Sequence, residues 1–454
     1  MHRQTRDLTE GRPLPLLVSF SLPLMVGNVF QQMYTVVDTA VVGKALGVGA
    51  LAALGASDWL NWMMLGVIQG LTQGFGIMMA QDFGSRQMDR LRRTIGASAV
   101  LSAIGALVLL AVGQVAIAPI LRLLQTPDAI QGDTVLYLRI MFGGVPVVMA
   151  YNLFAGMIRS LGDSKTPLYA MMVASCVNIG LDLLFVLVFH WGIAGAAAAT
   201  LIAQVFAAGV CLWHLGKLPV LKMKREDFRL DWSQAGQLLQ LGFPMAFQNA
   251  IISVGGMIVQ SVVNGFGMIF IAGFTATNKL YGLLELAAIN FGYAVASYTG
   301  QNLGAGLYDR VKRGVRSAAL MGVLTSLAVG AVMILLGRWV VSAFISSEDP
   351  AAAQQALEVA YDFLVTMCVP LFVLYLLHIY RSALQGMGDT VMPFVSGLFE
   401  LVMRLGVVHI APAFLGQFGI YLAEPLAWLG ADLVLLPSYH LRLRRLSRRS
   451  QTGR

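Results

Sequence analysis

Long apolar stretches separated by short polar loops fill the chain from about residue 14 onward. Such a stretch crosses a bilayer as a helix, since about 20 helical residues span the hydrocarbon core. Most of the stretches are apolar on nearly every face, as helices surrounded by lipid are. We place twelve spans, numbered in chain order, at 14–42, 50–79, 93–116, 129–158, 166–189, 192–215, 236–265, 269–299, 314–337, 355–383, 391–412 and 416–440. The pattern predicts an all-α polytopic membrane protein with twelve transmembrane helices.

Composition and charge agree with this class. Hydrophobic residues make up 57% of the chain and charged residues 12%, whereas a soluble domain carries about 25% charged residues. The formal net charge is +8, but the basic residues lie in alternate loops and in the C-terminal tail rather than on a soluble domain. Basic residues in alternate loops indicate a multi-pass protein of the inner (cytoplasmic) membrane with both termini in the cytoplasm. We therefore do not expect nucleic acid as a partner. The apolar run after the polar start is too long for a signal-peptide core, so we expect no removed leader peptide.

The second half of the chain repeats the first. The segments AQDFGSRQMDRLRR and GQNLGAGLYDRVKR align at a shift of 220 residues, and the loops GDSKTP and GDTVMP align at a shift of 226. Six spans in each half give both halves the same orientation, which predicts two six-helix bundles related by a pseudo-two-fold axis along the membrane normal. The predicted domains are an N-lobe at 1–216, a cytoplasmic linker at 217–235, and a C-lobe with a basic tail at 236–454.

Polar groups from four spans of the first half are expected at one depth, about 10 Å below the outer surface. They are Asp38, Asn178, Asp182, Thr200 and Tyr137. Two carboxylates, an amide oxygen and a hydroxyl suit a proton or a hard cation, so a Na⁺ site at Asp38, Asn178, Asp182 and Thr200 is a candidate. Burial and a second nearby carboxylate favour the protonated form of one acid. The alternative is that these groups only hydrogen-bond neighbouring helices.

The second half carries different polar groups at the matching places. Glu400 and Arg404 are spaced i,i+4 and can simply neutralise each other. Beside Arg404, the one basic residue expected deep in a span is Lys279. Candidates for a cargo-facing network or a gate, across both halves, are Glu285, Glu400, Arg404, Lys279, Tyr375, Gln248, Asn249, Met33 and Gln32.

No catalytic or nucleotide-binding motif accompanies these groups. The chain contains no GxSxG, HExxH or GxxxxGK[ST] sequence, so we expect a secondary active transporter rather than an enzyme. Energy must then come from an ion gradient, with H⁺ or Na⁺ as the coupling ion and no other cofactor. The three cysteines show no spacing typical of a disulfide framework or a zinc site.

Several motifs together resemble the MATE family (multidrug and toxic compound extrusion) over nearly the whole chain. They are QQMYTVVDTAVVGKALG, GQNLGAG, the paired GDSKTP and GDTVMP loops, and NIGLDLLFV followed by GIAGAAAAT. The resemblance implies a monomeric, alternating-access antiporter of two lobes that expels organic, often cationic, amphipathic compounds in exchange for H⁺ or Na⁺. In the DinF branch, the first-lobe cation site matches Asp38, Asn178, Asp182 and Thr200, with Tyr137 as a further partner.

One departure from the family pattern concerns the second lobe. The NorM branch has a Glu in helix 7 and an Asp in helix 10, whereas this chain offers Gln248 and Asn249 in span 7 and Tyr375 and His378 in span 10. Coupling through the first lobe is therefore expected. The rival function is a lipid-linked oligosaccharide flippase of the same superfamily, which would require a more strongly cationic interior.

Overall fold

Helices make up nearly all of the protein. The computed structural model describes residues 7–123, 126–218, 221–345 and 349–451. The helices of the described residues are α1 Pro13–Leu46, α2 Val48–Gly84, α3 Met88–Leu123, α4 Asp128–Gly143, α5 Val145–Ser160, α6 Lys165–Asp182, α7 Ile193–Gly216, α8 Trp232–Val263, α9 Met268–Gly304, α10 Tyr308–Ser342, α11 Pro350–Cys368, α12 Leu371–Gly386, α13 Val391–Ile410, α14 Pro412–Leu415, α15 Phe418–Tyr421 and α16 Ala423–Gln451. The all-α class is confirmed.

Two of the predicted spans are bent. Among the described residues, ten helices are long and apolar enough to cross a membrane, and two bent pairs bring the number to twelve if each pair is one span. The pair α4 and α5 bends by 47° and the pair α11 and α12 by 50°. The breaks lie beside Pro146 and Pro370, where a missing backbone N–H interrupts the helical hydrogen bonds.

Contacts between residues divide the chain into two compact units. The first comprises Ser19–Ala246 with the residues up to Leu8, and the second comprises Thr9–Val18 with the chain from Phe247 onward. In the first unit, α7 packs against α5 and α6, while α2 packs against α3, α4 and α5. In the second, α9 packs against α11 and α12, and α16 packs against α12 and α13.

Helix α6 ends in a π-helical segment. The last α-helical residue is Asp182, and residues Leu183–Val188 continue as a π-helix. The ring of Phe185, which belongs to this segment, stacks on the ring of Trp191 with centroids 4.6 Å apart. Gly192 takes a positive φ of 61° where the chain turns into α7. Such π-helical segments are often found at functional sites. Here the segment directly follows one of the two candidate carboxylates.

Close helix contact in the second unit depends on Gly273 of α9. A Cβ at Gly273 would lie 2.6 Å from the Ala356 carbonyl oxygen and 2.7 Å from Val359 Cγ1, both on α11. Two apolar helices approach this closely only where one side chain is absent. The contact fixes α9, which carries several candidate residues of the second unit.

We expect Gly273→Ala to lower the free energy of unfolding by about 1–3 kcal/mol, because the added methyl group collides with backbone. Thermal unfolding of the purified protein in detergent measures this. Gly282→Ala, on the same helix but with no atom within 4 Å of the added Cβ, is the matched control. Equal melting temperatures for the two variants would contradict the close contact.

Candidate functional site

The first unit brings the two candidate carboxylates into electrostatic contact. Asp38 lies on α1 and Asp182 at the end of α6, and Asp38 is near enough to act on Asp182 electrostatically. Asp182 and Asn178 are fully buried and Asp38 is 9% exposed. Asn178 Nδ2 donates a hydrogen bond of 3.4 Å to Thr200 Oγ1 on α7. The structure thus brings Asn178 of α6 and Thr200 of α7 together one turn before Asp182, and Asp38 of α1 acts on Asp182 electrostatically.

Buried oxygen atoms in this cluster lack hydrogen-bond donors. The carboxylate atoms concerned are Asp38 Oδ1 and both Oδ1 and Oδ2 of Asp182, and Asn178 Oδ1 is in the same condition. Buried polar atoms in native proteins nearly always have a partner, and an unpaired acceptor costs about 1–3 kcal/mol or more. A set of acceptors without donors has the chemistry that a proton or a hard cation satisfies.

Tyr137, the fifth predicted residue, lies against the same cluster. Its side chain is buried in an apolar group that includes Val42, Val186 and Ile193, and it interacts electrostatically with Asp38 and Asp182. The apolar residues close one side of the carboxylate pair from solvent. Tyr137 is therefore placed where its hydroxyl can respond to the charge on the two acids.

Two polar residues of this cluster were missed in the sequence. Tyr34 is within hydrogen-bonding range of Gln31 and Gln204 and interacts electrostatically with Asp38 and Asp182. Gln204 Oε1 is a further buried acceptor without a partner. The signal was present, since Tyr34 precedes Asp38 by four residues and Gln204 follows Thr200 by four, which places each pair on one helix face.

The remaining first-half candidates lie beside this cluster on α1. Gln32 is half-buried, and Met33 is 54% exposed, pointing away from the packed interior of its unit. Asp58 on α2, which is exposed, affects Asp38 electrostatically.

The second unit contains a chain of ion pairs among buried and partly buried side chains. Glu400 Oε1 lies 3.0 Å from Arg404 and Glu400 Oε2 lies 2.8 Å from Arg381. Arg404 also binds Glu424, 2.9 Å away. Glu400 and Arg404 therefore do neutralise each other, as one interpretation of their spacing held, but as part of a longer network that joins α12, α13 and α16.

Arg381 corrects an expectation drawn from the sequence. Arg404 and Lys279 were expected to be the basic residues deep in spans, and Arg381 was not among them. Helix α12 continues to Gly386, so Arg381 lies more than one turn inside it and is only 8% exposed. Lys279, by contrast, is exposed. The burial of Arg381 is explained by its ion pair with Glu400 on another helix, and a single sequence does not reveal that contact.

Other predicted residues of the second unit are fixed by hydrogen bonds. Glu285 Oε1 is 3.0 Å from His378 Nε2, and both side chains are partly accessible. Tyr375 is fully buried and donates its hydroxyl proton to the Leu284 carbonyl at 3.0 Å. Gln248 Nε2 donates to the Pro393 carbonyl at 2.8 Å. Asn249 follows on α8, half-buried, and its carbonyl accepts from Ser253.

Known proteins resemble this chain in sequence. The family model described as MatE matches residues 23–184 and 244–410. The probable multidrug resistance protein YpnP of Bacillus subtilis (strain 168) is 32% identical, covering 93% of this chain and 94% of that protein. A second relative from the same organism, the probable multidrug resistance protein YoeA, is 26% identical over 93% of this chain and 92% of its own.

Solved structures agree with the fold. One of them, an outward-facing conformation of a multidrug resistance MATE family transporter of the MOP superfamily, superposes with a TM-score of 0.91 at 23% identity and covers 98% of this chain and 99% of its own. The MATE complex with MaL6 also gives a TM-score of 0.91 at 23% identity, covering 99% and 100%. With both repeats of the family present and the fold shared, this chain is a membrane transporter that belongs to the MATE family of multidrug efflux proteins.

Proposed function

We propose that this chain exports organic, often cationic, amphipathic compounds in exchange for H⁺ or Na⁺, and that the acid cluster of the first unit is the coupling site. The observation that carries the proposal is the set of buried oxygens of Asp38, Asn178 and Asp182 that have no donor. A bound proton or cation supplies the missing partner. Membership in a family of multidrug efflux transporters supports export of small molecules as the transport that this site drives.

Coupling follows from the cost of leaving two carboxylates unpaired in a low-dielectric interior. When Asp38 and Asp182 share a proton or a sodium ion, their combined charge falls from −2 to −1 and the cluster can remain closed. When the ion leaves to water, the two negative charges repel each other and demand hydration, which favours an open arrangement. Asn178 and Thr200 add neutral oxygens that can complete the coordination of a cation.

Gradients of ordinary size are sufficient for this exchange. A 100-fold accumulation of cargo costs about 2.7 kcal/mol, and one elementary charge moving through 100 mV supplies about 2.3 kcal/mol. One coupled cation therefore nearly balances such a gradient, and a difference in ion concentration provides the rest. Small-molecule cargo and the surrounding bilayer are the partners this mechanism needs.

Orientation is part of the proposal. The basic loops that follow alternate spans place both termini in the cytoplasm, so that cargo leaves across the inner membrane. Flipping of a lipid-linked oligosaccharide is not favoured, because the relatives are named for multidrug resistance and the buried arginines of the second unit already bind carboxylates.

We expect Asp38→Asn to abolish gradient-driven efflux while the protein still inserts in the membrane. Asparagine keeps the volume of the side chain but cannot bind or release the coupling ion. Dye efflux from proteoliposomes under separately imposed pH and sodium gradients measures this and identifies the ion. Asp133→Asn, an exposed acid on α4, is the control and should transport as the natural protein does. Efflux at the natural rate from Asp38→Asn would end the proposal.

We expect Thr200→Val to raise the cation concentration needed for half-maximal efflux by about 10-fold, because a hydroxyl that accepts from Asn178 is lost at a charged site. Efflux rates measured across a series of H⁺ or Na⁺ concentrations test this. Thr134→Val is the matched control, since that buried hydroxyl bonds only to its own helix, at the Ile130 carbonyl. An unchanged cation dependence in Thr200→Val would remove Thr200 from the coupling site.

A further inference from the structure

The network of the second unit contains three carboxylates, those of Glu400, Glu424 and Asp432, and two arginines, Arg381 and Arg404, with Glu424 partly accessible and the other four side chains buried. Both carboxylate oxygens of Glu400 are engaged, one by Arg381 and one by Arg404, and Glu424 is engaged by Arg404. Guanidinium groups stay charged at any ordinary pH, so these two arginines balance two carboxylates. Another buried acid in this unit therefore needs a different counter-charge.

Asp432 is that acid. It lies on α16 two turns after Glu424, is only 5% exposed, and its Oδ1 has no hydrogen-bond partner. Arg381 and Glu400 are near enough to act on it electrostatically, but the ion pairs of Arg381 in the described residues are made with Glu400. Asp432 is thus the buried carboxyl group of this network without a directly bound cation.

His378 does not supply the counter-charge that Asp432 lacks. His378 lies 3.0 Å from Glu285, and this pair, partly accessible on α9 and α12, can balance itself when the imidazole is protonated. Lys279 is exposed on the surface of its unit. An ionised, unpaired carboxylate in a membrane interior costs several kcal/mol, and the usual outcome is that the group takes up a proton instead.

The groups that interact electrostatically with Asp432 lie on two of the helices packed against α16. Arg381 and Tyr380 belong to α12 and Glu400 to α13. Further charged or titratable groups lie one step away: Arg404 and His378 beside Glu400, Glu424 beside Arg404, and Tyr439 and Arg316 of α10 beside Tyr380. The arginines nearest to Asp432 are held by Glu400, and Glu400 itself repels a negative charge on Asp432. The balance of fixed charges is therefore complete only when Asp432 is neutral.

Aromatic side chains with polar atoms lie between Asp432 and the basic end of α16. Tyr380 interacts with Asp432 electrostatically, and its ring meets the Tyr439 ring edge-on with centroids 5.2 Å apart. The Tyr439 ring in turn lies 5.2 Å from the His440 ring, and His440 is exposed. Tyrosine hydroxyls and imidazole can both accept and donate protons, so polar rings lie between Asp432 and the exposed His440.

We propose that Asp432 carries a second exchangeable proton, separate from the ion of the first-unit cluster. The proton is bound as the carboxylic acid of Asp432 in one conformation and is released to water from the same oxygen in the other, with no other bond made or broken. The inference rests on the proposed exchange function. It means that each transport cycle moves one more proton than the Asp38 and Asp182 cluster accounts for.

The number of protons moved per cargo molecule tests this directly. Purified full-length protein in proteoliposomes is compared with Asp432→Asn, an isosteric change, by following internal pH and cargo together. We expect Asp432→Asn to keep transporting while its proton count per cargo falls by one. Asp133→Asn should leave the count unchanged. An unchanged count in Asp432→Asn would overturn the inference.

Failure of this inference is distinguishable from failure of the coupling site in the first unit. If Asp38→Asn still transports and Asp432→Asn alone lowers the proton count, then the first-unit proposal fails and the second proton stands. If Asp38→Asn is inactive and Asp432→Asn has the natural proton count, then the opposite holds.

A spectroscopic measurement covers the case in which Asp432→Asn does not fold. The natural chain, labelled with carbon-13 at its aspartate carboxyl groups, should show the infrared carbonyl band of a protonated aspartic acid. In Asp432→Glu, which retains the acid, that band should lose intensity to an unlabelled glutamic acid band. Labelled aspartate bands that are identical in the two proteins would overturn the assignment of the proton to Asp432.

Discussion

Unsatisfied acceptor oxygens in a membrane interior are the constraint on which this protein depends. Asp38 on α1 and Asn178 and Asp182 on α6 carry side-chain oxygens that no donor in the described residues reaches. A bilayer offers no water to repair this, so the packing around them must be strong enough to bear the cost. The apolar group around Tyr137 and the large buried core of α2, α3, α4, α5 and α7 provide that packing.

The two units handle buried charge by opposite means. In the acid cluster of the first unit, Asp38 acts on Asp182 electrostatically, Asn178 donates to Thr200, and neither acid forms an ion pair within the described residues. In the second, Arg381 and Arg404 are permanent cations that hold Glu400 and Glu424 within 3.0 Å or less. Arg404 stands at the repeat position of Asn178. The two repeats therefore place a neutral amide in one unit and a permanent cation in the other at corresponding positions.

Particular residues show how far one sequence leads. Asp38 and Asp182 were found because an acid in an apolar span is costly and because helix direction gave both the same depth. Tyr34 and Gln204 follow the same four-residue spacing and could have been found by it. Arg381 could not, since its burial depends on where α12 bends away from α11 and on Glu400 of α13, and neither is encoded in the local pattern.

By itself the sequence determined the class, the number of membrane spans, the internal repeat and the identity of the first-unit acids, because hydrophobic length and helical periodicity are local properties of the chain. The tertiary structure decided which oxygens lack donors, which arginines hold which carboxylates, and that Asp432 is without a bound cation. Those are properties of pairs of atoms on different helices, and small differences in how helices bend and pack set whether two such atoms lie at 3 Å or out of reach.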